Sequence, residues 1–539
     1  MSPYEKSIPS SRTPYETKHR AFFPFKLSII FSGILIILIA PIYGIYTFSI
    51  ETERNHLLNK SIQRIYENID VQSQSVCLSY YQNLYEIDPS WSYRSGASFN
   101  RLILDHLLAI QMENSISNLR IFGKCFLVGN VDLTHGSNIE KTHDSVAENY
   151  DENTENYENM ELFATLESKL IPYFSNVKYP MYSNSVGDVV EKITKNSPFY
   201  WKNIYNLMSG KGIVIGANDL SIHQVIRLLH VLHTLGNSLP VEIVYKELSL
   251  PSRAALSTLN FDLILVDVSP ALIGENQLSL SLLGSLFSTF DEIVYIDASS
   301  VPFVNPAEIL ESENYLDKGA LFFKDLKSFH RQFSHFYSHL YPSSAEQKLF
   351  GTKRLRQHRL ETTQLNFGLF AMKKSTHFVG LLIDSTLHHW KGKVGDELFW
   401  LGQALSGDSD QLNYHVNKNH AGLIGKIEIK GNMKSITSSQ KAFFDDDKKL
   451  IWVQGSLESF DESKPVPLQV NGGYVPSRNP YKEIFERTNG CGDSVWSAVA
   501  YDVSRYHKGR VRHHSRFIEY NKTQIGQMNK VISTWLELN

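Results

Sequence analysis

"GIVIGANDLSIHQVIRLLHVLHTLGNSLPVEIVY", residues 212–245, decides the class of fold. Its opening "GIVIGA" is a short, largely β-branched run, the mark of a buried strand. Ile222, Val225, Ile226, Leu229 and Leu232 then recur at three and four residues, so they share one face of a helix, which Asp219 or Ser221 caps. "LPVEIVY" (239–245) is a second strand, "FDLILVDVSP" (261–270) a third, and a helix around 278–286 leads to a fourth. Strands and helices alternating at this spacing make βαβ units around a mainly parallel sheet.

The fourth strand ends in "IVYIDASSVPFVNP" (293–306). Asp297 is the first polar side chain beyond its apolar run, and the chain breaks at Pro302. Asp267 has the same place at the end of the third strand. Open α/β sheets bind ligands outside the carboxyl ends of their strands, so both acids are candidate site residues. For Asp267 the competing reading is a loop cap. Further on, "GALFFKD" (319–325) and "NFGLFAM" (366–372) read as strands, 375–390 as a helix capped by Ser375, and 395–405 as a helix capped by Asp396 with Glu397 in its first turn. After residue 430 only "IWVQG" and "LQVNGGY" stand out as strands.

Toward the N-terminus, residues 27–50 carry no charge over 24 positions, enough to span a bilayer. Five Lys and Arg against two Glu precede this segment, and the positive-inside rule then leaves the tail in the cytosol and the rest across the membrane. Asn59 and Asn521 head N-x-[ST] sequons on that far side. Cys77, Cys125 and Cys491 lie there too, so one disulfide is allowed and one thiol is left over, with the pairing open. Residues 148–161 hold six acids, four Asn and no base, the composition of a solvated loop. The expected organisation is a cytoplasmic tail (1–26), a signal-anchor (27–50), a stem with an accessory region (51–208), a catalytic core (209–430) and a C-terminal part of the same domain (431–539).

A net charge of −3 argues against nucleic acid as a partner. The chain has no Walker A loop, no G-x-G-x-x-G after the first strand, no H-E-x-x-H and no G-x-S-x-G, which leaves phosphate-loop, zinc and serine chemistry without support. Carboxylates at strand ends suit transfer of a sugar from a nucleotide, where a divalent cation clamps the diphosphate.

The segments "GIVIGANDLSIHQVIRLLHVLHTLGNSLPVEIVYK", "LVDVSP", "LFSTFDEIVYIDASSVPFVNP", "YLDKGALFFKD" and "GDELFWLG" resemble, in order and spacing, the fungal α-mannosyltransferase family that includes the yeast Golgi α-1,3-mannosyltransferases. The resemblance covers about residues 210–430. It implies a GT-A fold, GDP-mannose as donor, Mn²⁺ as cofactor, a mannosylated glycoprotein as acceptor, and a Golgi membrane location. Asp297 falls on the first acid of the family's D-x-D motif. Ser299 falls on the second, a departure that replaces a carboxylate with a weaker neutral ligand. Asp267 then supports the nucleotide, and Asp396 and Glu397 match residues that face donor or acceptor. "QLNFGLF" (364–370) has Gln and Asn where the family pattern leads us to expect an acid and a small residue. His415 or His420 is placed to serve as a further metal ligand, with a surface or core role as the alternative; His420 is the one carried as a metal candidate. "KRLRQHR" (353–359) reads as a solvated basic loop rather than a diphosphate contact. The alternative to an active enzyme is a catalytically weak relative, retained as a subunit of a Golgi mannosyltransferase complex.

Overall fold

The computed structural model describes residues 74–87, 115–129, 163, 165–191, 193–259, 261–272, 278–328, 363–391, 399–406, 413–431, 433–455, 457–461, 464–476, 484–488, 494–501 and 517–537. The anchor segment 27–50, Asn59, the 102–111 and 148–161 stretches, 353–359, Asp396, Glu397 and Cys491 lie outside them. No helix among the described residues is long and apolar enough to cross a membrane.

A nine-stranded mixed sheet organises the described part of the unit Ile62–Asn539. Its strands are β1 (Met181–Asn184), β2 (Val189–Glu191), β3 (Lys211–Ala217), β4 (Val241–Tyr245), β5 (Leu263–Asp267), β6 (Glu292–Asp297), β8 (Ala320–Ser328), β9 (Thr363–Lys373) and β10 (His415–His420), while β7 (Ser300–Pro302) stands outside it. They run in the order β10-β8-β9-β6-β3-β4-β5-β1-β2. The centre, β6-β3-β4-β5, is parallel, as the strand–helix alternation requires. β9 and β1 flank that centre antiparallel. The chain winds from β3 outward through β4 to β5, then returns to the other side of β3 as β6. That reversal is a topological switch point, and it lies between β3 and β6.

Each central strand is buried on both faces. Ile213, Ile215, Ile243, Leu265, Val294 and Ile296 belong to the same core as Val225, Leu228, Leu229 and Leu232 of the helix Ile222–Thr234. Val214 and Tyr295 on the opposite face meet Gly284 of the helix Leu280–Phe287. Burial of each such Ile, Val or Leu contributes about 1.5–3 kcal/mol, which explains the near-continuous apolar runs of these strands.

The caps differ from the expected ones. Ser221 occupies the N-cap position of Ile222–Thr234 without bonding the helix through its side chain, and Asp219 instead accepts from Ser249 N, Ser249 Oγ and Ser252 Oγ of the next helix. Ser375 lies inside the helix Lys374–Lys391, and the cap comes from elsewhere: Asp291 accepts its N–H at 2.8 Å. A carboxylate from a neighbouring loop satisfies the same orphan donor that a local Ser would.

Two regions that gave weak sequence signals are ordered. β1 and β2, within 51–208, extend the main sheet beyond β5. Beyond β10 come β11 (Leu423–Gly425), β12 (Glu428–Lys430), β13 (Met433–Ser438), β14 (Lys441–Phe444) and β15 (Leu450–Gln454), with further short strands up to Glu519. The helix Lys522–Leu536 then packs back on Ile222–Thr234, where Thr234 and Thr534 hydroxyls meet at 3.2 Å. The break at Pro302 is the end of a second short strand, β7. After the turn at Asp297, β7 pairs antiparallel with β15, and Pro302 sits at its last position opposite Trp452.

Candidate active site

Asp297 is the last residue of β6, and its Cα partner on β3 is Gly216, so it stands at the switch point itself. The next residues form a tight turn. Ser299 donates to Asp297 Oδ1 twice, from its backbone N–H at 2.9 Å and its hydroxyl at 2.6 Å. Asp267 ends β5 in the same way, with Ser269 N–H and hydroxyl on its Oδ1 at 3.0 and 2.7 Å. "DVS" and "DAS" are thus one device used twice: an Asp at a strand end whose side chain folds the following Ser back on itself.

The two acids are not neighbours. Gly216 pairs with Val244, and Asp267 pairs with Tyr245, so β3 and β4 intervene. At the usual strand spacing this sets them about 14 Å apart along the sheet edge. They cannot share a cation, but the span matches the reach of a nucleoside diphosphate.

Asp297 and Ser299 fit a hard divalent cation. Asp297 is half-buried, and one oxygen holds the turn; Oδ2 carries no hydrogen bond within the described contacts. Ser299 has spent its proton on Asp297, so its oxygen keeps its lone pairs to offer as a neutral ligand. His420 lies on β10, with β8 and β9 between its strand and β6, and its Nδ1 lies 3.4 Å from the Asp325 carbonyl. His415 faces Asp446 at 3.8 Å, and burial pulls its pKa down, toward a neutral ring. Among the described residues no cluster of three His, Cys, Asp or Glu stands ready to hold a metal. Among the described residues, this turn offers a cation one carboxylate and one hydroxyl.

Sequence reasoning missed a third strand acid. Asp325 on β8 is buried and takes Lys441 Nζ on both oxygens, at 2.9 and 3.1 Å. Asn366, which stands where an acid or small residue was expected, donates to Asp325 Oδ2 at 2.8 Å and to Gln454 Oε1 at 2.9 Å. The signal was present in "FFKD", the same apolar-run-then-Asp pattern that marked the other two.

A family of mannosyltransferases, described as "Mannosyltransferase putative", matches residues 210–445, from β3 through β14. That match takes in the whole parallel centre of the sheet, both acid-ended strands included. The chain is 28% identical over 293 residues to "Putative alpha-1,3-mannosyltransferase MNN14" of Candida albicans, a match spanning 48% of this chain and 42% of that protein. It is 25% identical over 560 residues to "Alpha-1,3-mannosyltransferase MNT3" of Saccharomyces cerevisiae, spanning 87% of this chain and 84% of that one. Among solved structures, an active-site mutant of LgtC overlaps 37% of this chain and 71% of that chain at 14% identity and a TM-score of 0.26, too slight an overlap to bear on the argument.

Proposed function

We propose that this chain is a retaining α-mannosyltransferase of GT-A type that moves mannose from GDP-mannose to a mannose-terminated O- or N-linked glycan, forming α-1,3 linkages. The observation that carries the reading is the Asp297–Ser299 turn at the switch point of a parallel sheet, within the segment 210–445 that matches the mannosyltransferase family. Asp297 and Ser299 would hold a divalent cation, Mn²⁺ by preference, which when bound would neutralise charge on the departing GDP. Asp267, about 14 Å along the sheet edge, supports the nucleoside. The family resemblance assigns Asp396 and Glu397 to the transferred mannose or the acceptor. In the exchange, C1 of mannose loses its bond to the diphosphate and gains one to the acceptor oxygen, whose proton is released.

We place the chain as a single-pass type II protein of the Golgi membrane with its catalytic part luminal. The uncharged 27–50 segment, the flanking charge asymmetry and the sequons support this. Asn521 is exposed, and its Oδ1 caps the last helix by accepting from Gln524 N–H. Protease added to intact microsomes should remove only the N-terminal tail; digestion of the C-terminal domain instead would reverse the orientation.

The second reading is a weakly catalytic subunit of a mannosyltransferase complex. Ser299 favours it, since one carboxylate is missing and the hydroxyl is committed to Asp297. Purified chain with GDP-mannose, Mn²⁺ and mannobiose separates the two. Transfer supports the enzyme, and Ser299→Asp should then lower the Mn²⁺ concentration for half-maximal rate, because carboxylate count tunes affinity for hard cations. Absence of transfer by both proteins would leave the subunit reading in front.

A further inference from the structure

Four polar side chains from four strands converge beside the Asp297 turn, and the proposed reaction assigns none of them a task. Lys441 of β14 grips Asp325 of β8, and Asp325 takes Asn366 of β9. Asn366 also donates to Gln454 of β15, and its own Oδ1 accepts from Gly368 N–H at 2.9 Å. Gln454 is the Cα partner of Ser300, and the next residue, Gly455, donates its N–H to the Ser299 carbonyl at 3.0 Å. The relay therefore ends on the backbone of the turn that shapes Asp297.

Stability alone accounts poorly for it. Moving an ammonium and a carboxylate out of water costs about as much as their attraction returns, and such pairs are often replaceable by apolar side chains without loss. Asp325 is 5% exposed, and it already accepts from Leu326 N–H, Lys441 and Asn366, so it has no place left for a ligand. Lys441 points its ammonium at Asp325, with the Trp496 ring 5.6 Å away. These groups do not touch substrate. What they do is fix distances. The packing beside them is equally exacting: a Cβ at Gly368 would lie 2.4 Å from Ser300 Oγ and 2.9 Å from the Trp452 ring.

We infer that the Lys441–Asp325–Asn366–Gln454 relay is a positioning network that holds the Ser299 backbone, and through it Asp297, in the geometry that binds a divalent cation with a nucleoside diphosphate. This rests on the reading of Asp297 and Ser299 proposed above. It matters most in a site with one carboxylate, because a turn with a single charged ligand has no second acid to correct its aim. Partners that orient metal ligands from behind affect affinity by about 10–100-fold when removed.

The test is GDP binding to the full chain by calorimetry, with and without Mn²⁺, alongside thermal unfolding. Two variants are used: Asp325→Asn with Lys441→Met, which replaces the ion pair by neutral shapes, and Gln454→Met, which leaves the pair intact and cuts the last link. Both should weaken Mn²⁺-dependent GDP binding by about tenfold while metal-free binding and the unfolding midpoint stay near wild type. Variants that bind like wild type in Mn²⁺ overturn the inference. So does a parallel fall in metal-free binding and unfolding midpoint, which would make the relay merely structural. If the wild type itself binds no GDP with Mn²⁺, the reading of the site fails and this inference fails with it.

Discussion

At the scale of single residues, Asp297 carries the most consequence. Its side chain lies beyond the buried part of β6, so Asp297→Ala removes little packing, and the Ser299 N–H and hydroxyl it releases are only half-buried and within reach of water. The fold should survive, while mannose transfer should drop by about three orders of magnitude, since losing the anchor of a charge-neutralising cation costs several kcal/mol of barrier. Rate measurement beside a circular dichroism spectrum checks both halves, and undiminished turnover would sink the assignment. Asp267, with the same turn on another strand, should show a different signature. Its removal weakens nucleotide binding without altering the Mn²⁺ requirement, because β3 and β4 stand between it and Asp297.

Among the elements, the helix Tyr200–Leu207 shows how a buried charge can serve as a cap. Its N-cap residue, Phe199, offers no side-chain acceptor. Glu167, from the helix Leu166–Leu170, supplies one instead, taking the N–H groups of Tyr200 at 2.6 Å and Trp201 at 2.9 Å on its two oxygens. Part of the residue is exposed, yet the carboxylate lies under the helix end, where burial pushes its pKa from 4.5 up to about 8 against the pull of the two N–H bonds. A folded pKa raised above the unfolded one stabilises fully below pH 4.5 and loses that contribution as pH climbs through 8. Glu167→Gln keeps one acceptor and sets an NH₂ against the other N–H, for a loss of about 1–3 kcal/mol. Urea titrations across this range should show the gap between wild type and variant widest near pH 4.5 and narrowing toward pH 8. A gap that widens with pH would mean the charged form is the one the fold prefers.

Over the whole molecule, Cys77 and Cys125 form a disulfide that closes 48 residues and ties the helix Gln74–Ile87 to the turn Gly123–Val128. Arg120, in the 115–122 helix, reaches the Leu405 carbonyl at 3.0 Å, so the tied region is anchored to the body that carries the site. Cross-linking a loop of this size removes denatured-state entropy worth about 4 kcal/mol. Cys77→Ser with Cys125→Ser should lower stability by that order in denaturant titrations while leaving nucleotide affinity intact, because the bridge lies outside the polar relay. A bond of this kind persists in an oxidising compartment, which suits the luminal placement proposed for the chain.

The sequence by itself determined the central strands, the helices between them and the acids at their ends. β3 to β6 are contiguous apolar runs because both their faces must be buried, and a run of that kind is readable from five or six residues. Asp267 and Asp297 were legible for the complementary reason: a carboxylate directly after such a run marks where the core stops. Tertiary structure alone decided how far apart they stand, since strand order is set by pairings between segments far apart in the chain, and backbone hydrogen bonds carry no residue identity. It alone placed β1 and β2 on the main sheet and revealed strands such as β14, whose four residues are too few for a period to emerge, while β15 was legible as "IWVQG". The partner of Asp325 was hidden for the same reason. Lys441 lies 116 residues away along the chain, and only folding brings its ammonium within 2.9 Å of that carboxylate.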